Sequence, residues 1–243
     1  PHVGGAGINF HENLEKKNLG LFKIRSHLFL DVIFITLAEE SASFEETHEE
    51  LLHRWTDYKK PLFFQEKDSA FQLKVNCNWK LAIENYCESY HLPWVHPDLN
   101  TVSKLEDHYH IISEGTFSGQ GSQAFSQLKD KNGQVFPSFS NISSKWDHTS
   151  EYISVFPNVI LGVHKDHTFS GILIPKTEKK TIERFSIYYS KKDSLGESYT
   201  SLRKKNTEFW KTVFKEDINV VEGMQKGRKG KFFDGGRFSP VME

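Results

Sequence analysis

From Glu197 to Lys226 the chain carries a helical pattern of about eight turns. Leu202, Phe209, Trp210, Val213, Phe214, Val221 and Met224 recur at helical spacings and mark one apolar face. A stripe of that length needs an equally long surface to cover it. The preceding segments read as strands. Tyr152 to Val163, Thr168 to Ile174 and Thr181 to Ser190 are rich in branched and aromatic residues. The turns VHKDH and PKTEKK separate them, which implies an antiparallel meander. The fold class expected is α+β, with an antiparallel sheet packed on a long C-terminal helix.

One residue breaks the apolar face. Asp217 lies four after Val213, three after Phe214 and four before Val221. A buried ionised carboxylate is costly unless partnered, by several kcal/mol as an order of magnitude. The partner could be a metal, an Arg or Lys, or backbone donors. Its neighbour Glu216 is expected to point to solvent.

A second concentration of chemistry lies in NWKLAIENYCESYHLPWVHPDLN, Asn78 to Asn100. Asn78 is a candidate N-cap. Trp79, Ile83, Tyr86, Cys87 and Tyr90 form an apolar stripe, with Glu84, Glu88 and His91 beside it. Pro93 disfavours the α conformation at Leu92, so this helix should end near His91. His96 lies past the break, where its ring can turn back toward His91. Two imidazoles there are either the start of a metal site or capping and surface groups. Together with Asp217 they make a two-His-one-carboxylate set, which leaves one face of an iron open; a zinc hydrolase could use a similar set. The HExxH zinc-protease motif is absent. His164 and His167, which flank Asp166, read as turn residues, and His108 and His110 as strand residues.

The rest of the chain is less informative. Residues 1–20 read as loop, Leu28 to Leu37 as one buried strand, and Phe44 to Trp55 as an amphipathic helix. The polar break at Glu39 to Ser43 suggests a boundary between a small N-terminal unit, 1–38, and a main domain, 44–243. Phe63 to Val75 reads as a strand, and Tyr109 to Gly119 contains another. Gln120 to Trp146 is a long irregular excursion, either a lid or poorly ordered. Net charge is −1, which gives no electrostatic case for nucleic acid. The 20 Phe, 8 Tyr and 5 Trp suit a deep core or an apolar pocket. Cys77 and Cys87, the only cysteines, are expected to be reduced, which favours the cytoplasm. No run reaches membrane-spanning length. Residue 1 is Pro and the only methionines are Met224 and Met242, so the chain reads as a fragment or processed product.

The Asn78 to Asn100 stretch resembles the mononuclear-iron region of Rieske-type non-haem iron oxygenase α subunits, the ring-hydroxylating family. The shared pattern falls on Asn78-Trp79-Lys80, Asn85-Tyr86, Glu88, His91 and His96. FPNVILGVHKDH (Phe156 to His167), EDINVVEGMQKG (Glu216 to Gly227) and GRFSPVME resemble later segments of the family, in the same order. The resemblance implies a helix-grip fold. It implies Fe(II) held by His91, His96 and Asp217, and a substrate oxidised with O2. Outcomes in the family include hydroxylation, dihydroxylation and oxidative demethylation. Electrons would come from a [2Fe–2S] Rieske cluster, fed from NAD(P)H through a reductase or ferredoxin. In the family that cluster usually belongs to a neighbouring subunit of a homotrimer, in some members with a β subunit, and an acid that maps onto Glu88 bridges the two centres.

Two departures stand out. The cluster's Cys-x-His and Cys-x-x-His ligands are absent, so residues 1–38 are expected to be the end of a Rieske domain whose cluster segment is missing. The bridging acid is Glu, which resembles members acting on quaternary ammonium compounds more than the aromatic-ring dioxygenases, where Asp is commoner. A non-catalytic helix-grip binding module is the alternative reading, with a zinc hydrolase after it.

Overall fold

The computed structural model describes residues 20–236 apart from residue 114. The readings placed on residues 1–19 and on GRFSPVME after Gly236 lie outside the described residues. The main body is a seven-stranded, wholly antiparallel sheet with one long helix across it. Its strands are β3 (Ala70–Val75), β4 (His108–Ser113), β5 (Phe117–Ser122), β6 (Ser150–Val155), β7 (Val159–Val163), β8 (His167–Thr177) and β9 (Lys180–Tyr189). The spatial order is β3-β9-β8-β7-β6-β5-β4, so β4 to β9 form a meander and β3 joins its far edge. β1 (Arg25–Phe29) and β2 (Val32–Thr36) form a separate hairpin. The expected α+β arrangement, an antiparallel sheet gripping a long C-terminal helix, is the observed one.

Of the helices, α1 (Phe44–Thr47) and α2 (Glu49–Arg54) follow the hairpin, and α3 (Glu66–Ser69) precedes β3. Next come α4 (Trp79–Tyr86), α5 (Leu92–Val95) and α6 (Pro97–Asn100). The long helix is α7 (Thr200–Gly227). It buries Leu202, Trp210, Phe214 and Val221. Phe214 packs on Phe185, with ring centroids 4.1 Å apart, and Trp210 on Phe169 at 4.8 Å. Phe169 can lie flat on the sheet because Gly162 faces it: a Cβ there would come within 2.4 Å of the ring. Cys77 and Cys87 are free thiols. No helix among the described residues is long and apolar enough to cross a membrane.

Several boundaries differ from expectation. Leu28 to Leu37 is not one strand but a hairpin, turning through Leu30 and Asp31 at φ 47° and 63°. Two successive left-handed residues give the tight turn that matches strand twist, and it usually advertises itself with Asn or Gly. One edge of the hairpin packs into the main core through Phe29, Leu30 and Val32, while Leu28, Ile33 and Ile35 stay exposed. Phe44 to Trp55 is two helices broken at His48; a reciprocal Ser43–Glu46 capping box starts the first. Of Phe63 to Val75 only Ala70–Val75 is strand, with α3 before it. Tyr109 to Gly119 spans parts of two strands, β4 and β5. Tyr152 to Val163 also divides in two, because the chain reverses between Val155 and Val159, which pair across the turn. The long helix begins at Thr200, after a 3-10 turn over Glu197–Tyr199. Residues 123–143 form neither helix nor strand, yet Phe136 and Phe139 are buried, so the excursion packs on the body.

Candidate metal centre

Asn78 caps α4 as expected, accepting from the Lys80 N–H at 3.0 Å. The helix stops at Tyr86, short of His91. His91 instead opens the single turn α5, and its carbonyl accepts from Val95 N at 3.0 Å. Pro93 sits in the first turn, where a missing N–H costs nothing. His96 closes the same turn, so the Pro-containing turn itself spaces the two rings. Their centroids are 5.2 Å apart and their Nε2 atoms 3.3 Å.

Asp217 arrives from α7, about 120 residues later in the chain. Its Oδ1 stands 3.0 Å from His96 Nε2 and 3.4 Å from His91 Nε2. That oxygen is buried, within ion-pair reach of both rings but in hydrogen-bond alignment with neither. The donors therefore form a near-equilateral triangle. Three donors on one face of an octahedron, each about 2.1 Å from a common ion, lie about 3.0 Å apart. The donor set, its spacing and the orphaned carboxylate oxygen all fit a divalent metal. Among the described residues, His91, His96 and Asp217 are the one such cluster of three.

The outer ring nitrogens are also engaged. His91 Nδ1 pairs with Glu88 Oε1, and His96 Nδ1 with Glu216 Oε2 at 2.8 Å. A carboxylate on each Nδ1–H fixes the tautomer and aims both Nε2 lone pairs inward. Glu216 is thus half-buried against His96 rather than turned to solvent, a correction to the sequence reading. It neighbours Asp217 at the point where α7 crosses α5, so two successive acids on one helix meet the same imidazole. Electrostatics reflect this crowding. Burial pushes the His91 ring down, but Asp217 and Glu88 outweigh it and raise the ring to about 9. Burial likewise pushes the Asp217 carboxyl up, and the two imidazoles overcome it, holding the group below its usual value.

A cavity of about 870 Å³ opens from this centre. Tyr86, Tyr152, Phe169, Phe209, Trp210 and Phe214 give it aromatic walls, and Ala124 to Lys129 of the excursion form another side.

The sequence model of the ring hydroxylating alpha subunit (catalytic domain) family matches residues 65–243. This chain belongs to that family. The carnitine monooxygenase oxygenase subunit of Acinetobacter pittii is 22% identical over 227 residues, covering 92% of this chain and 57% of that protein. Chloroplastic choline monooxygenase of Arabidopsis thaliana is 23% identical over 171 residues, 69% of this chain and 36% of that one. The chain thus spans little more than half the length of the carnitine relatives it matches. A quaternary ammonium Rieske monooxygenase solved with L-carnitine superposes at TM-score 0.64, with 20% identity, over 92% of this chain and 56% of that one. Naphthalene 1,2-dioxygenase from Rhodococcus sp., bound to indole, does so at 0.62, with 14% identity, over 87% and 56%. At such identities the likeness is one of fold.

Within this ring-hydroxylating fold, His108 and His110 lie in strand β4, as the sequence suggested, but His164 and His167 are not solvated turn residues. His164 and His167 are buried side by side, centroids 4.2 Å apart and planes within 6°. The β7–β8 turn that carries them folds into the cavity wall instead of out to solvent. His167 donates from Nδ1 to Asp166 Oδ1 at 2.6 Å and accepts from Trp210 Nε1–H at 3.0 Å. His164 Nε2 meets the Tyr152 hydroxyl at 3.2 Å. His108 is also engaged, with Ser103 Oγ at 2.9 Å and Gln120 Oε1 at 2.8 Å. Sequence reasoning missed these residues as cavity groups. The signal was the run of apolar residues on both sides of VHKDH, which left the turn little room to be solvated.

Proposed function

We propose that this chain is the catalytic domain of a Rieske-type oxygenase, holding Fe(II) through His91, His96 and Asp217. The observation that carries the reading is the triangle of donors closed by an Asp217 oxygen that has no hydrogen-bond partner of its own. Iron bound there would supply the reduction of O2 and the oxidation of a small organic substrate, by hydroxylation, dihydroxylation or oxidative demethylation. The chain's own groups have three tasks. Glu88 and Glu216 hold the imidazoles in register. The aromatic walls orient the substrate and keep water from it. Glu88, on the outer side of His91, is the group through which electrons would enter from a [2Fe–2S] cluster on a neighbouring subunit of a homotrimer, fed by NAD(P)H through a reductase or ferredoxin. Both cysteines lie within the catalytic region, so that cluster's ligands fall outside these residues. Residues 1–38 are then the end of the Rieske domain.

The substrates considered are aromatic compounds and quaternary ammonium compounds. The carnitine and choline monooxygenases among the relatives, and Glu at position 88, support the second. The cavity alone would also suit a binding module without chemistry, so metal analysis after anaerobic purification decides between them. Iron at about one per chain is expected, and Asp217→Ala should lose most of it while keeping the wild-type circular dichroism. Full iron occupancy in that variant would remove the ligand assignment; zinc in place of iron would point to hydrolysis.

A further inference from the structure

The stretch that carries Glu88 has little regular structure to hold it. α4 ends at Tyr86 and α5 begins at Leu92, so the chain between them makes no helical ladder. Glu88 nonetheless grips His91 twice. Its Oε1 accepts from the ring Nδ1–H, and its Oε2 from the backbone N–H at 3.3 Å. That pose depends on where the Glu88 backbone sits. Gln120 Nε2 donates to the Glu88 carbonyl at 2.8 Å and to the Tyr86 carbonyl at 3.2 Å. Among the described residues no other donor meets either oxygen.

Gln120 lies on β5, two residues before Ser122, and β5 pairs with β4 so that His108 stands opposite Ser122. Gln120, Ser122 and His108 therefore project from one face of the sheet. Ser103 reaches them from the segment after α6. The protons of this group can be placed. A carbonyl only accepts, so the Gln120 atom facing Tyr86 and Glu88 is the amide nitrogen. Its Oε1 then accepts from His108 Nδ1–H at 2.8 Å. Burial holds the His108 pKa below its usual value, which keeps the ring neutral and leaves a lone pair on Nε2. Ser103 Oγ–H donates to that nitrogen at 2.9 Å, and Ser122 Oγ–H to Ser103 at 2.7 Å. Ser122 in turn accepts from the Ala124 N–H at 3.3 Å. Every donor in the row meets an acceptor, so the Gln120 amide is locked from both sides.

We propose that Gln120 is a positioning residue for the metal centre: held by His108, it fixes the backbone of Glu88 and, through that carboxylate, the aim of the His91 ring. Its own hydrogen bonds go to His108, Tyr86 and Glu88 and to none of the three metal-site residues. The inference rests on reading His91, His96 and Asp217 as the metal site.

The test is a double-mutant cycle on the purified protein, read as Fe(II) affinity by anaerobic competition with a chelator. Gln120→Met keeps the length of the side chain and removes its hydrogen bonds. It should weaken Fe(II) binding about fivefold. In a Glu88→Gln background the same substitution should change affinity less than about twofold, because the group it acts through is gone. The metal-free protein gives a second readout. The His91 ring N–H resonance of isotope-labelled protein should shift in Gln120→Met, as it does when Glu88→Gln removes the carboxylate. Should Gln120→Met misfold, His108→Phe frees the Gln120 oxygen and should weaken Fe(II) about threefold, again only where Glu88 is present. Wild-type affinity or an unshifted resonance in the folded variant overturns the proposal. So does an equal loss with and without the Glu88 carboxylate, which a general structural defect would give. A wild-type protein that binds no metal would instead strike the metal-centre reading, and the His91 resonance would still decide whether Gln120 acts through Glu88.

Discussion

Two histidine pairs lie in the walls of one cavity, and they have opposite surroundings. His91 and His96 each have a glutamate on Nδ1 and share an aspartate at Nε2. His164 and His167 are stacked flat on one another, with one carboxylate, a tyrosine and an indole. Three carboxylates around two rings collect positive charge, and a divalent ion satisfies that demand. Around the second pair there is one carboxylate, and the hydrogen bonds of Asp166 and the Trp210 indole N–H fix the His167 tautomer. Histidine is the same residue in both places; the number of acids within reach decides whether a pair is suited to a cation or to a fixed hydrogen-bonded array.

This contrast can be broken in four ways. The largest effect is expected from His167→Ala. Asp166 is almost fully buried, and losing its partner should destabilise the protein by about 3 kcal/mol in urea unfolding while iron content stays at wild type. Loss of iron in that variant would show that the two pairs are not separate. Next comes Glu183, a buried carboxyl on β9 beside a small cavity that Asp217 also lines. Burial, and then the Asp217 charge, raise it from 4.5 to about 8. A carboxyl raised on folding contributes stability that is complete below its unfolded value and is lost as pH rises toward the folded one. Glu183→Gln should therefore stabilise little at pH 4 and by roughly 2 kcal/mol at pH 9. A flat difference between those pH values in thermal melts would refute this.

A smaller change, about tenfold in metal affinity, is expected for Glu216→Gln, measured by competition with a chelator. Glu88→Gln should match it, and should in addition slow reduction of the iron in the assembled enzyme. If neither weakens the metal, the outer carboxylates are not what aims the rings. The smallest effect belongs to Trp210→Phe, which removes one donor from His167 and should cost about 1 kcal/mol. An unchanged melting temperature would mean that the indole is not what fixes the His167 tautomer.

The parts of this architecture that repeat locally were legible in the sequence. The α7 stripe, the meander and the Asn78 cap follow from periodicity and residue type, and Asp217 was conspicuous because it broke a stripe. Groups whose position depends on a distant element were not. Glu216 looked solvated because helical phase puts it beside the buried face, and only the crossing of α5 gives it His96. The VHKDH turn looked exposed because turns usually are, but Trp210, some forty residues on, covers it. The hairpin at Leu30 and Asp31 was missed for a different reason: its backbone needs positive φ, and the sequence supplies neither Gly nor Asn there. The helix end was misplaced because Pro93 disfavours helix at its own predecessor yet is comfortable in a first turn, and the second preference prevailed.

Asp217 and Trp210 belong to one unbroken helix, so the cavity's two ends are joined by a stiff rod rather than by loops. A displacement at either end is felt at the other. Whatever factor an occupant at the indole end applies to metal affinity, the metal must apply the same factor to that occupant. Ligand titrations with and without iron thus measure a single coupling free energy from both directions, and the closure of that cycle is a check on both measurements.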